Sequence, residues 1–166
     1  VAHTIRKASP NDTEVLSQIV RTAHRDVAVR FQLTAENAPT HPSNCQPGWI
    51  ASGLSRGVSY FILFADADPC GCVALERAAP ELAYLERLAV IPERRGRGFG
   101  SALVVHGLIE AAAAGAREVS VGVIADHTEI VEWYQKRGFS FVEKRQFPHL
   151  PFTVAFLRRG VVPCGK

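Results

Sequence analysis

Three observations in the sequence predict an α/β fold. A strand, a glycine-rich turn and a helix follow one another without interruption between Leu88 and Ile109. A β-rich run and its return, spanning residues 59–76, form a hairpin. Segments of helical period alternate with further β-rich runs along most of the chain. At 166 residues and 47% hydrophobic content the chain can build one substantial core, so residues 1–166 are expected to form a single domain.

The elements are justified in order. Thr4–Ala8 reads as a short strand, and Ser9-Pro10-Asn11-Asp12 supplies breaker and N-cap chemistry. Val15, Leu16, Ile19, Val20, Ala23 and Val27 then recur at helical spacing, which predicts four or five turns with His24 and Arg25 on or near the outer face. Periodicity disappears from Arg30 to Gly48, where Pro39, Pro42 and Pro47 mark a long irregular connection. Trp49–Leu54 is expected to be a short helix. Ser59–Ala65 and Cys70–Glu76 are hairpin strands turned by Asp66-Ala67-Asp68-Pro69, and Leu82–Val90 follows as a third. A helix over 98–114 ends at Gly115, and Glu118–Ile124 is again a strand. Asp126 or Thr128 is expected to cap a helix that Gly138 closes, with a basic C-terminus. Strands over Phe141–Gln146 and Phe152–Leu157 finish the sheet.

Chemistry concentrates at Leu88-Ala89-Val90-Ile91-Pro92-Glu93-Arg94-Arg95-Gly96-Arg97-Gly98-Phe99-Gly100-Ser101. Pro92 cannot donate to a ladder and ends the strand. Bare N–H groups at the start of the next helix, with three arginines nearby, suit a pyrophosphate. A Walker A loop needs Lys-Ser/Thr after its last glycine, whereas Phe99-Gly100 follows Gly98. A dinucleotide fingerprint needs a third glycine where Ser101 stands and a tighter turn after Val90.

Arg95-x-x-Gly98-x-Gly100, preceded by Leu88-Ala89-Val90-x-Pro92, resembles the acyl-CoA-binding motif of the GCN5-related N-acetyltransferases (GNAT). A second stretch is similar to that family's later motif, Asn-x-x-Ala-x-x-x-Tyr-x-x-x-Gly-Phe. Tyr134, Gly138 and Phe139 match it, while His127 and Ile130 replace the asparagine and alanine. The resemblance is strongest over residues 82–139. It implies a mixed, largely antiparallel sheet flanked by helices, with a splayed central strand pair ending at Val90 and beginning near Glu118. It further implies acetyl-CoA as cosubstrate, with coenzyme A as product. The implied cofactor-binding residues are Leu88, Ala89, Val90, Arg95, Gly96, Arg97, Gly98, Phe99, Gly100, Ser101, His127 and Tyr134.

Acyl transfer to an amine needs a base for the amine, donors for the carbonyl oxygen and an acid for the departing thiolate. By the family's arrangement the Leu88 N–H faces the acyl carbonyl, the Val90 N–H faces the pantetheine arm, and Tyr134 is the acid. The other reading of Tyr134 is an aromatic ring packed into the core. For the base, alternation puts Tyr84, Glu86, Leu88 and Val90 on one strand face, where the Glu86 carboxyl would be hard to ionise. Tyr84 or a water chain could replace Glu86, and a salt bridge or surface position is its alternative. His41, Trp49, Tyr84 and His149 are candidate contacts to the acceptor; the alternative for the 31–48 loop is a solvated connection with Trp49 tucked into the core.

A formal charge of +3 with no interleaving of aromatics and basic residues argues against nucleic acid as partner. No apolar run approaches a membrane span, and the N-terminus carries no signal-like segment, so the expected compartment is the cytoplasm. Cys70-Gly71-Cys72 on a strand would put both thiols on one face. No second ligand pair follows at zinc spacing, so Cys45, Cys70, Cys72 and Cys164 are expected to be free thiols and no metal is expected. Two functions compete. The first is an N-acetyltransferase, monomeric or homodimeric, acting directly on a primary amine of a small molecule or peptide. The second is a non-catalytic acyl-CoA-binding sensor.

Overall fold

The computed structural model describes residues 2–163. Its strands are β1 (His3–Lys7), β2 (Ser59–Ala65), β3 (Asp68–Ala79), β4 (Leu82–Val90), β5 (Glu118–Ile124), β6 (Ser140–Gln146) and β7 (Thr153–Gly160). They form one sheet in the order β1-β2-β3-β4-β5-β7-β6. Every pairing is antiparallel except β4 with β5. That parallel step needs a crossover, and helix α4 (Phe99–Ala113) supplies it. The expected mixed, largely antiparallel α/β sheet is therefore present. No helix among the described residues is long and apolar enough to cross a membrane.

The sheet is covered on both faces. Leu103, Val104, Leu108 and Ala111 of α4 pack on Phe61, Leu63, Val73 and Leu85. Gly107 lets α4 seat closely, because a Cβ there would run into the Leu85 side chain. On the opposite face α1 (Thr13–Ala23) and α3 (Pro47–Ser55) bury Leu16, Val20 and Ile50 against Ile62, Cys72 and Ala74. Each such fully buried aliphatic side chain contributes roughly 1.5–3 kcal/mol of transfer free energy. The entry to α1 is built as its sequence predicts. Ser9 and Asp12 form a capping box, and Arg6 pairs with Asp12 at 3.0 Å.

Five local expectations are corrected. The first long helix is broken at His24, where α2 (Arg25–Arg30) begins. His24 is consequently turned inward against His41, with ring centroids 6.0 Å apart, and is not on the outer face. Neither Asp126 nor Thr128 caps α5 (Thr128–Gln135); His127 occupies the N-cap position and makes no side-chain cap bond.

Cys70 and Cys72 lie on opposite faces of the sheet, the former in the α4-side core and the latter in the α1-side core. A register shift of β2 against β3 between Leu63 and Phe64 interrupts alternation there. Cys45, Cys70 and Cys72 are buried free thiols, and Cys164 lies outside the described residues.

The same kind of irregularity corrects the strand face assigned to Glu86. Arg87 adopts φ +52°, and the β3–β4 register shifts between Cys72 and Ala74. Leu88 and Val90 consequently pack with Leu85 on the α4 side, and Ala89 turns to the α1 side. Glu86 therefore does not share a face with Leu88.

Candidate active site

The site begins where β4 leaves β5. They pair only at Leu82–Glu118, Ala83–Val119 and Tyr84–Ser120. Beyond Tyr84, β4 stays paired to β3 as far as Val90, and β5 stays paired to β7 as far as Ile124. Their facing edges are thus left open to each other. Ile91 N–H donates to Cys70 O at 2.9 Å on the β3 side, so alternation turns the Val90 and Leu88 N–H groups toward the opening.

At the end of β4, Pro92–Arg94 form a single 3-10 turn, and the glycine loop follows. Gly96 and Gly98 have φ +77° and +83°, which only glycine adopts freely, and a Cβ on either would meet no atom within 4 Å. Gly98 is the N-cap of α4. Unpaired N–H groups of the first helical turn therefore border unfilled space, a cradle suited to an anion. Gly100 has a different task, since its missing Cβ makes room for the Trp133 ring.

The arginines around this loop divide by role. Arg94 pairs with Asp68 at 3.0 Å, and Arg95 pairs with Asp26 at 2.7 Å while donating to Val90 O and Ala23 O. Both build the rim. Arg97 is exposed and makes no hydrogen bond or ion pair among the described residues. Arg137, which the sequence offered only as a basic helix end, lies 3.6 Å over the Trp133 ring and donates twice to Ser101 Oγ.

A cavity of about 1260 Å³ runs from this loop through the open strand pair. It brings together Glu86, Leu88, Val90, Gly98, Ser101 and Tyr134, and also Ala89, Arg95, Gly96, Phe99, Gly100 and His127. Ala89 and Phe99 are buried, so what they offer a ligand is main chain. The Tyr134 ring sits in the core against Phe139 and Trp133. Its hydroxyl has no hydrogen-bond partner among the described residues and is not sealed in protein, so it opens on the cavity. Burial pushes the phenol well above its usual pKa and keeps the proton on.

Tyr84, Glu86, His24 and His41 also line the cavity. Burial, reinforced by the neighbouring Glu76 carboxylate, raises the Glu86 carboxyl to about 7. Burial also lowers His41, to about 4, and lowers His127, where Arg30 adds to the effect.

Three predicted residues lie elsewhere. Trp49 is under Arg87, 5.5 Å from the guanidinium, and lines a separate hollow of about 280 Å³ that shares only Glu86 and Arg87 with the main cavity. His149 is exposed on the turn before β7, and Phe147, Phe152 and Phe156 line the cavity in its place. Arg97 stands outside the lining. The sequence reading missed His24, Arg137 and these phenylalanines. Only Arg137 had a local signal, four positions after Trp133 in the turn that closes α5. Among the described residues no cluster of three or more His, Cys, Asp or Glu could hold a metal ion.

The model of the acetyltransferase (GNAT) family matches residues 21–139. The chain is similar to a mycothiol acetyltransferase from Corynebacterium glutamicum, 39% identical over 111 residues that make up 62% of this chain and 37% of the relative. It spans less than half the length of the curated relatives it matches. Among solved structures it shares its fold with the ribosomal-protein-S18-alanine N-acetyltransferase from Escherichia coli. That match has a TM-score of 0.77 and 18% identity, covering 99% of this chain and 97% of the other. A PaiA N-acetyltransferase from Thermoplasma acidophilum, solved in complex with coenzyme A, has a TM-score of 0.74 at 19% identity, covering 96% and 99%.

Proposed function

The chain belongs to the GNAT family of acetyltransferases, and from that premise we propose that it moves an acetyl group from acetyl-CoA directly to a primary amine of a small molecule or peptide. Residues 1–166 are read as one domain of this kind. The observation that carries the reading is the continuity of the cavity. One space joins the left-handed glycines at the start of α4, the open β4–β5 edge, the unpartnered Tyr134 hydroxyl and the Glu86 carboxyl.

The residues present fit acetyl-CoA. Gly96, Gly98 and the first N–H groups of α4 hold the pyrophosphate, with Arg97 free to swing in from outside. The Val90 N–H receives the pantetheine arm, beside His127 and Ser101. Glu86 takes a proton from the acceptor ammonium, and a carboxyl with a pKa near 7 is matched to that task. The freed amine forms the new C–N bond. The Leu88 N–H faces the carbonyl oxygen as it gains charge. Tyr134 gives its proton to the sulfur as the C–S bond breaks, and the second proton that the nitrogen loses on becoming an amide restores the phenol by way of solvent. Direct transfer needs no covalent enzyme intermediate, and no cysteine lines the cavity among the described residues.

The test is thermal unfolding with acetyl-CoA, CoA or NAD, followed by free-thiol release from acetyl-CoA across a panel of amines. CoA and acetyl-CoA should raise the melting temperature and NAD should not. Stabilisation by NAD alone, or tight acetyl-CoA binding with no thiol release for any amine, contradicts the proposal.

A further inference from the structure

Two histidines face each other in the wall of the cavity, and neither has a part in the transfer described above. His24 ends α1, and His41 stands in the connection before α3; the ring centroids are 6.0 Å apart at an interplanar angle of 81°. Their outer nitrogens are held in opposite states. His24 Nδ1 lies 2.8 Å from Val20 O, and a carbonyl oxygen can only accept, so Nδ1 carries the proton. In the neutral ring this leaves a lone pair on Nε2. His41 Nδ1 lies 2.8 Å from Ser43 Oγ, a hydroxyl that can donate or accept, and 3.2 Å from the Ser43 backbone N–H, which can only donate, so Nδ1 accepts and in the neutral ring the proton is on Nε2.

Both rings stay neutral near pH 7. Burial disfavours the charged form of each, and for His24 it outweighs the bond to Val20. The charged groups facing His24 are Arg87 and Arg95, which oppose protonation, and Asp26, which favours it; His24 itself faces His41. Neither Nε2 has a hydrogen-bond partner among the described residues, where the one buried, unpartnered side-chain polar atom belongs to His106. Both Nε2 atoms therefore open on the cavity. Beside these charges the wall also carries Thr40 and apolar side chains. Ile124 lines the cavity there, and Phe152 stands 6.4 Å from the His41 ring.

We propose that His24 and His41 form an acceptor subsite for a neutral group that both donates and accepts a hydrogen bond, a hydroxyl or a primary carboxamide carried by the amine substrate. The group accepts from His41 Nε2–H and donates to His24 Nε2. Bonds of about 2.8–3.0 Å to each Nε2 would join the group to both rings, whose centroids are 6.0 Å apart. A carboxylate would meet a lone pair on His24, and a methyl group would leave two buried polar atoms unpaired. The inference rests on the acetyltransferase reading and narrows its acceptor class to amino alcohols and amino amides.

Two measurements test it, and only the second depends on turnover. Long-range ¹H–¹⁵N correlation spectra at pH 7 should report Nδ1–H for His24 and Nε2–H for His41. Adding an amino alcohol in the presence of CoA should shift both Nε2 resonances, and the methyl isostere should not. The same tautomer on both rings, or no shift with either a hydroxyl or a carboxamide probe, overturns the subsite. Acetyl transfer is then followed for matched amines bearing hydroxyl, carboxamide, methyl or carboxylate at one position. In the wild type kcat/KM should favour hydroxyl or carboxamide over methyl by about 10- to 100-fold. In His24→Phe and His41→Phe that ratio should fall toward one, and an unchanged ratio in folded variants overturns the subsite. If no amine is acetylated while both Nε2 resonances shift as described, the acetyltransferase reading fails and the binding subsite stands.

Discussion

Arg95 and Asp26 meet at 2.7 Å across 69 residues of chain, and the same guanidinium donates to Ala23 O and Val90 O. One side chain thereby ties the glycine loop to the helix pair α1–α2 and to the end of β4. Asp26→Asn should weaken CoA binding by about 2- to 5-fold, the scale of a largely exposed ion pair, as titration calorimetry would read it. Burial alone would raise the Asp26 carboxyl, but the Arg95 hydrogen bond and charge outweigh it and hold the pKa below the usual value. The pair's stabilisation is therefore complete above the unfolded-state pKa and is lost as pH falls through the folded one. Unchanged CoA affinity in Asp26→Asn would show that the loop is held without this tie.

Gly98→Val should abolish CoA binding, and Gly57→Val should leave it intact. The two are matched for backbone cost, because their φ angles are +83° and +94° and neither Cβ would meet another atom within 4 Å. Each substitution strains the backbone by about 1–2 kcal/mol, so melting temperatures should fall comparably. Only Gly98 borders the cavity. Equal loss of CoA binding in two folded proteins places the phosphate site elsewhere.

The sheet and this loop were legible because their signals are local. β-rich runs over 59–65, 82–90 and 118–124, and glycines before an apolar-periodic helix, can be read from short windows. What could not be read came from single residues that break a period. Arg87 at φ +52° reverses the alternation of β4 and separates Glu86 from Leu88. The register shift beside Leu63 parts Cys70 from Cys72 in the same way. His24 and His41 lie 17 positions apart and meet only because the first helix breaks, and no periodicity signals such a contact.

Glu86 makes a pH signature available. With its carboxyl raised to about 7, the basic form appears only as pH passes that value, so kcat/KM should rise through an inflection near 7. Glu86→Gln should lose that inflection, leaving only the ionisation of the acceptor amine. Stability should carry the opposite trend. A carboxyl whose folded pKa lies above its unfolded value stabilises below the unfolded pKa and loses that contribution as pH rises toward 7. The wild type should accordingly lose melting temperature between pH 4.5 and 7 relative to Glu86→Gln. Parallel pH curves for the two proteins, in rate and in stability, would remove Glu86 as the base.

Tyr134 offers the most direct test of the central claim, that this cavity carries out acetyl transfer with its own proton donor. Tyr134→Phe retains the ring among Trp133 and Phe139 and deletes only a hydroxyl that has no hydrogen-bond partner among the described residues. CoA affinity and melting temperature should therefore change little. The decisive measurement is the single-turnover rate of acetyl transfer, because slow product release can hide a lost acid in kcat. That rate should fall by about 10²- to 10⁴-fold in Tyr134→Phe, the range for a positioned acid. A single-turnover rate equal to that of the wild type, in a folded variant that binds CoA normally, would contradict the claim.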